Sequence, residues 1–180
     1  GSSALLMVSL VAGSVVAAPN VKYKTFGSAE VKQAPPGTFT IVSNGVDPTW
    51  GGPEYGGVYL ASRSLSGKRI GSVKLSFTSR GDVTGGAPRF SIPVNTDGVT
   101  NKVAFYAFVD VLGCGGASGG TTVVSTTRAD CTVYAGSETF ANWAAFATAH
   151  PTYRIAPGKN PFIIADGSNG TFVVSDIVLR

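Results

Sequence analysis

At 180 residues the chain is long enough for one domain with a real hydrophobic core, and its 24 glycines and 10 prolines exclude long helices. Only 13% of residues are charged against 43% hydrophobic, so Ser, Thr, Asn and Gly must supply much of the surface polarity. The net charge of +4 comes from basic residues scattered singly, with Lys68-Arg69 in a Ser-Gly-Lys-Arg turn as the densest pair, which excludes the clustered footprint of a nucleic-acid partner.

In chain order, Ala4 to Ala18 is an uncharged apolar run ending in Val16-Ala17-Ala18 before Pro19, the pattern of an export signal (residues 1–18) cleaved near Ala18. It is interrupted by Gly13 and two serines and is shorter than the about 20 residues of a membrane span, so no stable span is expected after processing. The alternative is that the segment is retained and buried as a strand donated to a neighbouring subunit. Residues 19–180 read as a single all-β domain, a β-sandwich of jelly-roll-like type with one short helix.

Expected strands are Lys22 to Phe26, Thr38 to Ser43, Gly57 to Ser62, Ser72 to Ser79, Arg89 to Val94, Lys102 to Val109, Thr121 to Thr126, Thr132 to Ala135, Tyr153 to Ile155, Phe162 to Ala165 and Thr171 to Leu179. Val73, Leu75 and Phe77 alternate with polar residues, which predicts one dry and one wet face. Val103 to Val109 is apolar throughout and predicts a central strand covered on both sides. Asp97-Gly98 predicts a hairpin joining Arg89–Val94 to Lys102–Val109. Cys114 and Cys131, the only cysteines, predict one disulfide and hence an oxidising, extracellular compartment. Ser137 as cap, Glu138 in the first turn and Phe140, Trp143, Ala144 and Ala147 at helical spacing predict a helix that stops at His150-Pro151.

Catalytic signals are sparse. His150, the single histidine, has a natural role at a helix C-terminus, and neither a nucleophile elbow nor a metalloprotease motif is present. Asp47, Asp82, Asp97 and Asp166 adjoin Gly or Pro as turn formers, and Glu54 is the one acid in an aromatic loop, Trp50-Gly51-Gly52-Pro53-Glu54-Tyr55. Asn95, Asp97 and Asn101 place oxygens at spacings that can converge on a structural calcium ion, but with only one charged ligand among them a tight hairpin turn explains them better. Asp176, an acid within the last strand, is either a calcium ligand or the partner of a basic residue such as Arg89, for which Asp110 and Asp166 are the other candidate partners. Trp50, Tyr55 and Tyr59, with Glu54, form the candidate ligand-binding set, because flat aromatic side chains displayed on a loop stack on sugar rings; the alternative of equal weight is that the loop folds back and the rings fill core.

Gly-Gly-Val-Tyr-Leu at 56–60, Gly-Gly-Ala-Pro-Arg-Phe-Ser-Ile at 85–92, Ala-Phe-Tyr-Ala-Phe-Val at 104–109 and Val-Val-Ser-Asp-Ile-Val-Leu at 173–179 together resemble a group of uncharacterised secreted bacterial β-sandwich proteins, and the last of these stretches resembles the closing strand of jelly-roll carbohydrate-binding modules. The resemblance implies export, a sandwich fold and a sugar-binding or cell-surface role, with the last-strand acid of such modules, here Asp176, helping to hold calcium. The expectation is therefore a secreted, non-catalytic domain whose partner is a polysaccharide or cell-surface glycan. A structural surface or filament subunit that self-associates through strand edges is the alternative, and a glycoside hydrolase the third reading.

Overall fold

Runs of β-branched and aromatic residues, broken every few positions by Gly, Pro or Asn, fold into short antiparallel strands. A computed structural model describes residues 21–166 and 169–180; the expected export segment, residues 1–18, lies outside the described residues. In chain order the strands are β1 (Lys22–Gly27), β2 (Glu30–Gln33), β3 (Phe39–Asn44), β4 (Tyr55–Ala61), β5 (Leu75–Gly81), β6 (Arg89–Asn95), β7 (Phe105–Asp110), β8 (Thr121–Ser125), β9 (Val133–Ala135), β10 (Glu138–Phe140), β11 (Arg154–Ile155), β12 (Phe162–Asp166) and β13 (Asn169–Leu179). The helix α1 (Trp143–Ala149) lies between β10 and β11.

Two sheets result. The larger has the order β1-β4-β12-β6-β7-β9-β10, with β11 also paired to β6, and the smaller is β2-β3-β13-β5-β8. Setting aside the short flanking strands leaves β3-β13-β5-β8 against β4-β12-β6-β7. The chain crosses between sheets at every step except the β6–β7 hairpin and returns β13 beside β3, which is the double Greek-key winding of a jelly roll. The hairpin predicted from Asp97-Gly98 forms, with Arg89 opposite Asp110 and Val94 opposite Phe105.

The core lies between the sheets. Val58 and Leu60 of β4, Phe90, Ile92 and Val94 of β6, Ala107 and Val109 of β7 and Ile163 of β12 meet Phe39, Leu75, Phe77, Val124 and Val174 from the facing sheet, all fully buried. Val73, Leu75 and Phe77 are buried on one face as their alternation predicts. Cys114 and Cys131 are joined as a disulfide that closes the loop between β7 and β9. No helix among the described residues is long and apolar enough to cross a membrane.

Three local expectations are corrected. Ser137 does not cap the helix and Glu138 is not in its first turn: Glu138–Phe140 pairs with β9, and Asn142 is the cap, its side chain accepting the Ala145 amide at 2.9 Å. The helix is therefore shorter than predicted, with Trp143 buried and its indole N–H donating to the Ile70 carbonyl at 2.8 Å. Second, β2 has no strand signal in the sequence; Glu30-Val31-Lys32-Gln33 is a polar edge strand stabilised by pairing to β3. Third, β7 is not covered on both sides. Ala107 and Val109 face the core, while Tyr106 is exposed and Phe108 half-exposed on the outer face.

Candidate functional site

Strand alternation fixes which side chains of the larger sheet face outward. On β4, Gly56, Val58 and Leu60 face the core, so Tyr55, Gly57 and Tyr59 face out. The pairing register carries this across the sheet: Lys24, Tyr59, Phe162, Ser91, Phe108 and Tyr134 occupy adjacent positions on β1, β4, β12, β6, β7 and β9. At about 4.8 Å per strand this row is about 24 Å long. A second row runs beside it through Phe26, Gly57, Ile164, Arg89 and Asp110.

The rings touch one another. Phe26 lies 4.4 Å from Tyr59 between ring centroids and 5.5 Å from Phe162, while Tyr59 and Phe162 are 5.4 Å apart and Tyr106 reaches Phe162 at 5.5 Å. Tilted and edge-on pairs at these separations are favourable and hold each ring in place. Gly57 makes the arrangement possible, because a Cβ there would sit 2.7 Å from the Phe26 ring and 2.2 Å from the Ile163 carbonyl oxygen. The Phe26 ring occupies that space.

The aromatic face has a charged centre. Arg89 pairs with Asp166 at 2.5 Å, and its guanidinium lies 4.7 Å from the Phe108 ring centroid. Asp166 is thus the partner realised among the three candidates Asp110, Asp166 and Asp176. Asp110 stands directly opposite Arg89 in the register. Burial pushes the Asp110 carboxyl above its ordinary value, against the lowering effects of the Gly113 amide and the Arg89 charge.

Trp50 and Tyr55 stand at the edge of this face. Together with Pro53, Ile164 and Asp166 they line an open depression of about 340 Å³. The loop that presents Trp50 is internally bonded: the Asp47 amide donates to the Gly52 carbonyl and the Gly51 amide to the Asp47 carbonyl, both at 2.8 Å, and Val46 bridges to Pro53. Asp47 accepts the Thr49 amide at 2.8 Å, and that bond, with the Ser28 hydroxyl and the Trp50 indole N–H, holds its carboxyl below the usual carboxylate range. The Trp50 ring packs over Gly52, where a Cβ would lie 1.7 Å from the indole. Trp50 is nonetheless 60% exposed.

Of the residues predicted to bind ligand, Trp50, Tyr55 and Tyr59 share this surface. Glu54 does not: it is 5% exposed, and its carboxylate accepts the Asn44 amide at 2.5 Å, so its role is to close the base of the loop. Phe26, Tyr106, Phe108, Tyr134 and Phe162 are the residues that sequence reasoning missed. Their signal is alternation within each strand, but only the register across strands shows that they converge.

The residues considered for calcium are separated by the fold. Asn95 and Asp97 lie in the β6–β7 turn, where the Asp97 carboxylate accepts the Val99 and Thr100 amides at 2.9 and 3.0 Å, the Asn95 side-chain amide at 3.0 Å and the Thr100 hydroxyl at 2.7 Å. The Thr100 amide, then Val99 and the Thr100 and Asn95 side chains, hold the Asp97 carboxyl far below the usual range. The Asn95 side-chain oxygen accepts the Gly98 amide at 2.6 Å, and Asn101 is exposed at the end of the same turn. The Asp97 carboxylate already accepts four hydrogen bonds from the turn. Asp176 is exposed on β13, in the smaller sheet, at a β-bulge with φ 51°, a left-handed conformation that Asp tolerates. Among the described residues no group of three or more His, Cys, Asp or Glu side chains is placed to hold a metal.

His150 caps the C-terminus of α1, its backbone N–H donating to the Phe146 carbonyl, and its ring stacks on Tyr153 at 4.4 Å with Nε2 3.2 Å from the Glu138 carboxylate. These contacts account for it structurally. No protein-family model, curated protein or solved structure matches the chain.

Proposed function

We propose that the protein is a secreted, non-catalytic binding domain that engages carbohydrate chains on the outer face of its larger sheet, with Trp50, Tyr55, Tyr59, Phe162 and Tyr106 as the stacking surface. The observation that carries the reading is the aromatic cluster of Phe26, Tyr59, Phe162 and Tyr106 on the outer face of β1, β4, β12 and β7, with Tyr59 and Tyr106 exposed where the outer face of a jelly-roll sheet is ordinarily polar. Sugar rings present flat C–H faces that pack on aromatic rings, while Arg89, Asp166 and Lys24 supply hydrogen bonds to hydroxyl groups at fixed positions. The export-like segment and the disulfide support an extracellular site of action.

Pull-down with insoluble polysaccharides and affinity electrophoresis with soluble ones test the proposal. Retention of the wild type on at least one glycan, with weaker retention of Tyr59→Ala and Trp50→Ala, is the expected result. Failure to bind any polysaccharide, or binding that neither substitution changes, removes it.

Glycoside hydrolysis has one observation in its favour: Asp110, with a raised pKa, and Asp166 both accompany Arg89 on the binding face. Asp110 also has a structural use, since its carboxylate accepts the Gly113 amide at 2.5 Å and so fixes the turn leading to Cys114. Release of reducing ends by the wild type and its loss in Asp110→Asn would replace binding with hydrolysis as the function.

A further inference from the structure

An open depression of about 960 Å³ lies at the end of the same face. Lys22, Arg63 and Lys159 line it together with the hydroxyl-bearing Ser62 and Ser66 and the amide of Asn160, and no acidic side chain contributes to its wall. All three cations are exposed, and none has an ion-pair partner among the described residues. Of the chain's 14 basic residues, Arg89, Lys32 and Arg128 are matched to a carboxylate among the described residues, so what sets the depression apart is that three cations share one concavity. Three unmatched cations in one concavity leave a positive potential there.

The depression is continuous with the aromatic row. Lys22, Lys24 and Phe26 face outward from β1 opposite Ala61, Tyr59 and Gly57. Lys22 and Ala61, which line the depression, are therefore one same-face step from Lys24 and Tyr59, about 7 Å along the strand. Lys159 and Asn160 lie three and two residues before Phe162, the first residue of β12. A chain stacked on Tyr59 and Phe162 that continues in this direction enters the basic depression.

We propose that the depression is a subsite for the negatively charged groups of an acidic polysaccharide, carboxylates of uronic acids or sulfate esters, bound in continuity with sugar rings on the aromatic face. This rests on the carbohydrate-binding reading and narrows it to polyanionic glycans. Lys and Arg donate charge-assisted hydrogen bonds to either anion, and the serine and asparagine side chains add neutral bonds to hydroxyls beside them. Nucleic acid shares the negative charge, but the three cations form one compact group and not a track along a phosphate backbone.

The test uses matched polymers that differ only in charge: polygalacturonate against its methyl-esterified form for carboxylates, dextran sulfate against dextran for sulfate esters, and a single-stranded oligonucleotide of equal charge. Wild type is compared with the exposed-surface variant Lys22→Ala/Arg63→Ala/Lys159→Ala and with Trp50→Ala, all checked for an unchanged melting temperature. The expected result is preference for at least one acidic polymer over its neutral partner, weakened by added salt and lowered about tenfold or more in the triple variant. Which of the two acidic polymers responds identifies the anion. Single charge reversal, Lys22→Glu, should lower affinity in the same direction, and Lys22→Arg should restore it. Equal affinity for charged and neutral polymers, or an acidic preference that survives the triple substitution, overturns the subsite while leaving the aromatic site standing. Equal or tighter binding of the oligonucleotide overturns the assignment to glycans. Binding of acidic polymers that the triple substitution abolishes and Trp50→Ala leaves untouched supports the basic subsite and counts against the stacking surface.

Discussion

Trp50→Ala tests the proposed binding role: it leaves the loop's backbone hydrogen bonds in place and removes the indole, with its N–H bond to the Asp47 carboxylate and its packing over Gly52. An aromatic side chain presents up to about 250 Å² of surface. With Trp50 60% exposed, about 150 Å² remains available, and a sugar stacked on one face of the ring covers about half of that. At about 25 cal/mol per Å², covering about 75 Å² contributes about 2 kcal/mol. Affinity should then fall about 25-fold in Trp50→Ala, at about 1.4 kcal/mol per tenfold. Trp50→Phe, which keeps a smaller ring, should fall less. Fluorescence provides the assay, since the chain has two tryptophans and the other, Trp143, is 3% exposed and sealed by its bond to Ile70. Titration of wild type with a bound polysaccharide should shift emission to the blue and protect it from acrylamide. Trp50→Ala should show neither effect, while the constant Trp143 emission reports an intact core. An unchanged dissociation constant, or wild-type emission that ligand leaves as accessible to acrylamide as before, would refute the stacking role.

Removing the disulfide by Cys114→Ala/Cys131→Ala should cost about 3 kcal/mol on the loop-entropy relation for a separation of 17 residues, seen as a melting temperature about 6–12 °C lower; an unaltered melting curve would show that the bridge adds nothing. Gly57→Ala should destabilise by about 1–3 kcal/mol in denaturant titration, since its Cβ meets the Ile163 carbonyl at 2.2 Å and the Phe26 ring at 2.7 Å, and it should also weaken glycan binding by displacing that ring. Wild-type stability in that variant would mean that the close packing of Phe26 is not needed. Asp97 has a depressed folded pKa, so its stabilisation is full above the unfolded value of about 4 and is lost as pH falls through that range toward the folded value. Asp97→Asn should therefore be less stable than wild type at pH 7, with the gap closing below about pH 4; a gap constant down to pH 2 contradicts the turn-anchoring role. Calcium and chelator should leave the wild-type melting temperature unchanged, because the Asp97 oxygens already accept hydrogen bonds from the turn. A rise with calcium would restore the metal reading of Asn95 and Asp97.

The fold is legible where each strand carries its own signal. Alternation in Val73, Leu75 and Phe77, the Asp97-Gly98 hairpin and the cysteine pair all act over short distances, and the structure realises them. The boundaries that fail are those decided by tertiary partners. Glu138-Thr139-Phe140 has the residues of a helix start, but β9 offers it a strand partner, and the chain begins its helix only where Asn142 can cap it. Likewise Glu30-Val31-Lys32-Gln33 becomes a strand because β3 lies open beside it.

The site was half legible for a related reason. Trp50 and Tyr55 stand out because Gly and Pro surround them, and a loop displays what it carries. Tyr106 and Phe108 were hidden by their neighbours: inside Val103 to Val109, an outward-facing aromatic residue reads the same as a buried one, because hydrophobicity along a strand reports burial only when the outer face is polar. That condition breaks down where the outer face is itself apolar. Phe26 and Phe162, more than a hundred residues apart in sequence, become neighbours only once β1 and β12 both pair with β4. A continuous apolar strand in an antiparallel sandwich therefore has two physical explanations, a second covered face or an outer face that carries apolar residues into solvent, and exposure separates them: Tyr106 on β7 and Tyr59 on β4 reach solvent in a sheet whose opposite face already supplies the core.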